Sequence, residues 1–255
     1  MNIDKLKLPE SAIEFLKSQG YTKLYPPQAD SVKSGLLDGK SILVSAPTAS
    51  GKTLIAMLAI MSYLSNNKGK VVYLSPLRAL ASEKFTEFKK LEKVALGNKV
   101  KVAISTGDFE KIEKNLENSN LLILTNEKMD SIIRHNAEWV DEIGLVISDE
   151  VHLIGDESRG PTLEMILTQL KLLETKPQIV GLSATITNSD EIADWLECTL
   201  VKNDWRPVPL SEGVCDGGEV TMSDGKTFEV ERSLMGTPID LGVQSVKQGG
   251  QSLVF

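Results

Sequence analysis

Short runs that are apolar throughout alternate with longer stretches in which apolar residues recur every three or four positions. The runs cover residues 41–45, 71–75, 100–105, 121–125, 145–148 and 179–183. Continuous apolarity, rather than an every-other-residue pattern, means that both faces of each strand are covered, the mark of parallel strands between layers of helices. The intervening stretches predict helices over 52–66, 78–96, 126–134, 161–173 and 189–196. This alternation predicts an α/β fold: a doubly wound, mainly parallel sheet with helices on both faces. In such a sheet ligands gather beyond the carboxyl ends of the strands. Those ends read Ala46-Pro47-Thr48, Pro76-Leu77-Arg78, Thr106-Gly107-Asp108, Asn126-Glu127, Asp149-Glu150 and Ala184-Thr185, nearly all small, polar or charged.

The texture changes at Asn203. Two prolines in Trp205-Arg206-Pro207-Val208-Pro209-Leu210 precede a hairpin pattern, with Asp224-Gly225 as the turn between 219–222 and 227–231. An α/β pattern restarts at Ser245-Val246-Lys247, and Ser252-Leu253-Val254-Phe255 reads as an apolar strand. The expected organisation is therefore a nucleotide-fold domain over 1–202, a connector with a small β-hairpin over 203–240, and the cut start of a second domain over 241–255.

Composition narrows the classes. The chain has 255 residues, 41% hydrophobic and 25% charged, as in an ordinary globular protein. A net charge of -7 excludes general polyanion binding, so any nucleic-acid contact must be local. Two cysteines, Cys198 and Cys215, form no disulfide framework and no CxxC motif, and the expected setting is a reducing cytoplasm. The most apolar run, 54–64, is shorter than the roughly 20 residues that span a bilayer, so no membrane association is expected.

The strongest local motif is Ala46-Pro47-Thr48-Ala49-Ser50-Gly51-Lys52-Thr53, between a strand and an apolar helix. Its end matches the phosphate-binding P-loop. Backbone N–H groups and the helix start receive phosphate oxygens, Lys52 offsets β/γ-phosphate charge, and the Thr53 hydroxyl reaches magnesium. Ala46 stands where a glycine is usual, which restricts the turn. The strand at 145–148 ends in Asp149-Glu150-Val151-His152. Asp149 can hold magnesium through water, and Glu150 can polarise the water attacking a γ-phosphate. Such a pair also serves as an acidic helix cap, a role outweighed here by its pairing with the P-loop. His152 follows the acids as a residue able to relay nucleotide state. With two histidines and no HExxH, a metalloprotease is excluded.

These residues resemble the DExH class of superfamily-two helicases. The resemblance runs from Gln28 to Pro209 through Tyr25-Pro26-Pro27-Gln28, Ser75-Pro76-Leu77-Arg78-Ala79-Leu80, Thr106-Gly107-Asp108, Thr125-Asn126-Glu127-Lys128 and Leu182-Ser183-Ala184-Thr185. Gly155-Asp156-Glu157-Ser158-Arg159-Gly160-Pro161 and the segment starting at Trp205 are most similar to the Ski-type subfamily, in particular its archaeal DNA repair helicases. The resemblance implies a RecA-like motor domain that binds ATP and magnesium. It implies that Gln28 reads adenine and that Ser183 and Thr185, with His152, couple nucleotide state to grip. Arg78, Thr106 and Thr125 would follow a sugar-phosphate backbone, of single-stranded or forked DNA more than RNA, with 3'-5' polarity. It further implies that a second RecA-like domain supplies transition-state arginines, so that this chain alone should hydrolyse ATP barely.

Charge distribution bears on that path. Residues 51–100 hold nine Lys/Arg and three Asp/Glu, whereas 101–150 hold five and eleven. Arg78, Lys84, Lys89, Lys90 and Lys93 fit either a phosphate path or a solvated helix face. With aromatics at 5% and none interleaved there, a base-stacking platform is absent from this stretch. The alternatives to a motor domain are a small-substrate P-loop NTPase or kinase, and a nucleotide-gated nucleic-acid-binding module.

Overall fold

The computed structural model describes residues 1–107, 113–233 and 235–254. Asp108, part of the Thr106-Gly107-Asp108 motif, lies outside them. The chain divides into two compact units, Met1–Arg206 and Pro207–Phe255.

In the first unit the strands are β1 (Ile42–Ser45), β2 (Lys70–Ser75), β3 (Val102–Ser105), β4 (Leu121–Thr125), β5 (Ile143–Ser148), β6 (Gln178–Ser183) and β7 (Thr199–Lys202). They form one seven-stranded sheet in the order β3-β4-β2-β5-β6-β1-β7, every pairing parallel. The helices are α1 (Glu10–Ser18), α2 (Pro26–Lys33), α3 (Lys52–Asn66), α4 (Arg78–Phe88), α5 (Glu113–Glu117), α6 (Asn126–Arg134), α7 (Gly160–Lys171) and α8 (Ser189–Leu196).

Successive side chains of a strand point to opposite faces, and here each face has its own core. Val71 and Tyr73, with Leu121, Ile123, Leu145 and Ile147, join the buried residues of α1 to α4. Val72 and Leu74, with Leu122, Leu124 and Val146, join those of α6, α7 and α8. A fully buried Val, Leu or Ile contributes about 1.5–3 kcal/mol, which is why these strands carry apolar residues at consecutive positions. The doubly wound parallel sheet expected from the sequence is present.

Within this unit, α4 and β7 differ from the sequence reading. The helix expected over 78–96 stops at Phe88 and continues as a 3-10 segment, Lys89–Lys93. Ala81, Lys84, Phe88 and Leu91 are all buried, so the three-to-four spacing carries across the change of helix type. The edge strand β7 escapes the pattern because only Val201 of its residues is fully buried.

The second unit holds a three-stranded antiparallel sheet of β8 (Gly213–Asp216), β9 (Glu219–Met222) and β10 (Thr227–Glu229), then helix α9 (Thr237–Lys247). β9 and β10 form the expected hairpin, with Thr221 opposite Thr227 and Gly225 at φ 83° in the turn. Ser245, Val246 and Lys247 end α9 instead of restarting an α/β pattern, and α9 runs across position 240. Ser252, Leu253 and Val254 form no strand. A strand needs an edge to pair with; Ser252 instead donates to the Gly242 carbonyl at 3.2 Å, tying this segment to α9.

Candidate functional site

All parallel strands of the first unit deliver their carboxyl ends to one edge of the sheet. The loop between β1 and α3 keeps the β1–β6 ladder for one more residue, through Ala46 N–H to the Ser183 carbonyl at 3.2 Å. It then turns through two left-handed residues, Ala49 (φ 65°) and Gly51 (φ 83°). Ala46 has no positive φ, so a glycine is not required there. Gly51 is required twice over. Its φ suits glycine, and a Cβ there would lie 2.2 Å from Nε2 of Gln28.

Gln28 is 2% exposed. Its Oε1 accepts from Tyr25 N–H at 2.7 Å, closing the start of α2, and its Nε2 donates to the Gly51 carbonyl at 3.1 Å. The amide thus ties the α2 start to the loop and is no surface glutamine. The ring of Tyr25 lies 4.5 Å from that of Trp205, and Asn203 donates to Asp30 of α2 at 2.9 Å. The segment after β7 is therefore fastened beside the loop.

Lys52 folds back over the loop, donating to the carbonyls of Ala46 (2.9 Å) and Pro47 (3.3 Å). Burial lowers its ammonium pKa; Glu150 and Asp149 oppose that shift, and Arg206 adds to it. Arg206 is thus within electrostatic reach of the loop, which its place in the sequence did not reveal. In the same loop, Ser50 Oγ is buried with no hydrogen-bond partner among the described residues. Thr53 Oγ1 accepts from Lys84 of α4 at 3.0 Å. Lys84 also pairs with Glu83 (3.2 Å) and Glu87 (3.4 Å). Burial alone would lower its pKa, but Glu87, Glu83 and Asp149 outweigh that and raise it. Sequence reasoning had placed Lys84 only in a basic stretch.

The acids follow β5, with β6 standing between β5 and β1. Asp149 and the loop therefore face each other across one intervening strand end, not from adjacent strands. Asp149 Oδ2 accepts from the Tyr73 hydroxyl at 2.6 Å, and Oδ1 from Glu150 N–H at 3.1 Å. Glu150 is left-handed (φ 53°), an uncommon conformation for a non-glycine residue and one that clusters at functional sites. It heads a 3-10 segment, Val151–Gly155, rather than capping an α-helix. Its Oε2 lies 3.3 Å from Nδ1 of His152, and that same nitrogen is 3.4 Å from Ala184 N–H. Nδ1 accepts from Ala184 when it carries no proton and donates to Glu150 when it does, but it cannot do both. Ser183 Oγ donates to the Ala184 carbonyl at 2.8 Å. Thr185 is exposed, and Asn188, the residue before α8, makes no side-chain capping bond.

The other half of the edge is a groove of about 560 Å³ that brings together Arg78, Thr106 and Thr125 with Lys128, Arg134 and Arg159. The Thr125 hydroxyl also caps α6, accepting from Lys128 N–H at 3.4 Å. Sequence reasoning missed Arg134 as a lining residue. Its signal was helical spacing: Glu127, Ser131 and Arg134 fall on one face of α6, which starts beside Thr125.

A P-loop-like turn between strand and helix, two acids across one strand, and a groove lined by arginines on the same edge form a recognisable set. The sequence profile of DEAD/DEAH box helicases matches residues 25–192. The chain belongs to the DEAD/DEAH box helicase family. It is 44% identical, over all 255 residues, to the ATP-dependent DNA helicase Hel308 of Thermococcus kodakarensis, covering 22% of that protein. It is 45% identical over its whole length to Hel308 of Pyrococcus horikoshii, covering 34% of it. The chain thus spans about a third or less of the curated relatives it matches. Among solved structures, the DUF1998 helicase MrfA superposes with a TM-score of 0.65 at 24% identity, over 77% of this chain and 33% of that one. Its DNA-bound form gives 0.66, over 77% of this chain and 30% of that one. Those two share the fold of this helicase domain.

Proposed function

We propose that this chain is the ATP-binding motor domain of a DNA helicase, in which ATP hydrolysis with magnesium drives translocation and unwinding by the longer protein. The observation that carries this reading is the sharing of one sheet edge by Lys52, Thr53, Asp149 and Glu150 on one side and the Arg78–Arg134–Arg159 groove on the other. Phosphate oxygens would replace the Ala46 and Pro47 carbonyls on Lys52 and engage Ser50 and the loop N–H groups from Pro47 to Thr53 that are not proline. Gln28 would read the adenine edge with the hydrogen-bonding capacity its two bonds leave free.

The donor set fits magnesium. Among the described residues no group of three His, Cys, Asp or Glu side chains could hold a metal by itself. That suits an ion bound by one carboxylate, a hydroxyl, water and substrate phosphates, with Asp149 and Thr53 as the protein's share. When bound, magnesium withdraws charge from the phosphate oxygens. Glu150 orients the attacking water and takes its proton. His152 and Ser183, both bonded at Ala184, with Thr185 next along the chain, would carry a change at the γ-phosphate from the acids to the β6 end. Arg78, Thr106 and Thr125, with Lys128, Arg134 and Arg159, hold the sugar-phosphate backbone of a single strand, translocated 3'-5'. A second RecA-like domain supplies the transition-state arginines, worth about 10³–10⁵ in turnover. Among the described residues no helix is long and apolar enough to cross a membrane; we place the protein's work in the cytoplasm.

A small-substrate NTPase, or a gated binding module without turnover, is not favoured, because similarity to proteins named ATP-dependent DNA helicases spans the whole chain. The test is ATP turnover by the longer parent protein with and without single-stranded DNA. DNA should stimulate it, and Glu150→Gln should still bind nucleotide while losing at least about a hundredfold in rate. Parental turnover in that variant would reduce Glu150 to a turn residue, and indifference to DNA would favour the small-substrate reading.

A further inference from the structure

Tyr73 is a strand-interior residue by sequence, yet its hydroxyl ends at the acid pair. In the parallel register of β2 and β5, Tyr73 stands opposite Ile147 and Leu74 opposite Ser148. Asp149 therefore falls at the next level, two residues on from Ile147 and on the same face as Tyr73. Strand side chains lean along the strand, so the phenol spans that step and donates to Asp149 Oδ2 at 2.6 Å. The ring is fully buried and is held edge-on by Phe88 of α4, with centroids 5.3 Å apart and planes at 62°. Asp149 N–H donates to the Leu74 carbonyl at 3.0 Å, so the backbone of the acid is fixed from the same strand.

A carboxylate offers about four lone-pair sites. Two at Asp149 are already taken, one on each oxygen, by the Tyr73 hydroxyl and by Glu150 N–H. We propose that Tyr73 is a positioning residue for metal binding: its buried hydroxyl locks the Asp149 carboxylate so that the remaining lone pairs face the loop and orient magnesium and its waters. Without the hydroxyl the carboxylate keeps its charge but is free to rotate about its terminal bond, which has a broad torsional profile. Partners that orient a metal-binding group typically matter 10- to 100-fold in metal affinity. For a carboxylate acting largely through water, an effect of about tenfold is expected.

The proposal rests on the reading of Asp149 as the metal carboxylate, and the experiment separates the two. A fluorescent ATP analogue is titrated onto the 255-residue chain in EDTA and then across a range of magnesium concentrations. Tyr73→Phe keeps the ring on Phe88 and removes one oxygen. Its affinity in EDTA should stay within about twofold of the parent, while the magnesium midpoint for tightening rises about tenfold. In an Asp149→Asn background the same change should produce no further shift. An unchanged midpoint in Tyr73→Phe, or an equal loss of affinity with and without magnesium, overturns the proposal, the second outcome making Tyr73 merely structural. If Asp149→Asn itself leaves the midpoint unmoved, the metal reading falls and the proposal falls with it. A shift in Asp149→Asn with none in Tyr73→Phe overturns the proposal alone.

Discussion

The two halves of the strand-end edge are built on opposite principles. Around β1, β6 and β5 the polar groups are bonded to one another: Gln28 to Gly51, Lys52 to Ala46, Asp149 to Tyr73, Thr53 to Lys84. The backbone there takes left-handed conformations at Ala49, Gly51 and Glu150. Around β2, β4 and β3 the edge opens into a groove whose arginines, Arg78, Arg134 and Arg159, are exposed, Arg134 pairing with Asp130 one turn back at 2.5 Å. The difference matches two kinds of ligand. A nucleotide is a compact polyanion whose reacting phosphate must be placed to within fractions of an ångström. A sugar-phosphate backbone repeats, and a protein that moves along it gains from contacts that are numerous, electrostatic and interchangeable.

Removing Lys52 from the first half should be all-or-none. On the proposed reading Lys52 offsets β/γ-phosphate charge, so in Lys52→Ala calorimetry with magnesium and ATP should show no measurable binding. Retained affinity would mean that the backbone of the loop suffices and that the contrast between the halves is overstated. Breaking the second half should be graded. Arg78→Ala with Arg134→Ala should weaken single-stranded DNA binding by the parent protein and lower the slope of log affinity against log salt by roughly 1.4, about 0.7 for each lost phosphate contact. ATP affinity should not change, so a loss there would show that the halves share structure as well as an edge. The smallest effect sharpens the picture of strain. Ala49→Gly relieves a left-handed non-glycine worth about 1–2 kcal/mol, against about 0.5–1 kcal/mol of added chain entropy. Thermal melting should therefore rise by no more than about 3–6 °C. A large fall would mean that the Ala49 methyl packs in a way that its φ does not betray.

The halves also differed in how they could be read. The loop and the acids were legible because each is a contiguous string: Gly51-Lys52-Thr53 after a strand, and Asp149-Glu150 after another. The sheet was legible for a related reason, since burial on both faces forces apolar residues at consecutive positions such as Val71, Val72 and Leu74. What stayed hidden comes from elements that meet only in space. Tyr73 looks like any strand-core aromatic, and its hydroxyl acquires meaning only from the β2–β5 register. Lys84 looks like a helix-surface lysine beside Glu83 and Glu87, yet it is 8% exposed and lies on Thr53. Arg134 ends an amphipathic helix, where a cation is welcome for the helix dipole alone. The end of α4 was misplaced because the buried stripe from Ala81 to Leu91 survives the passage into a 3-10 segment.

Helix α4 has a mechanical property that neither half possesses. Arg78 at its first turn lines the groove, Lys84 rests on the hydroxyl of Thr53, and Phe88 in its last turn presses on the ring beneath Asp149. From Arg78 to Lys84 is six residues, about 9 Å of axis at 1.5 Å per residue, with no loop or glycine between to absorb slack. The helix is a connecting rod with little play. An axial slip drawn by a phosphate at Arg78 would shift the Lys84 end, 3.0 Å from the Thr53 hydroxyl, by the same length. The tolerance for grip at one end and for charge at the other is thus one and the same length.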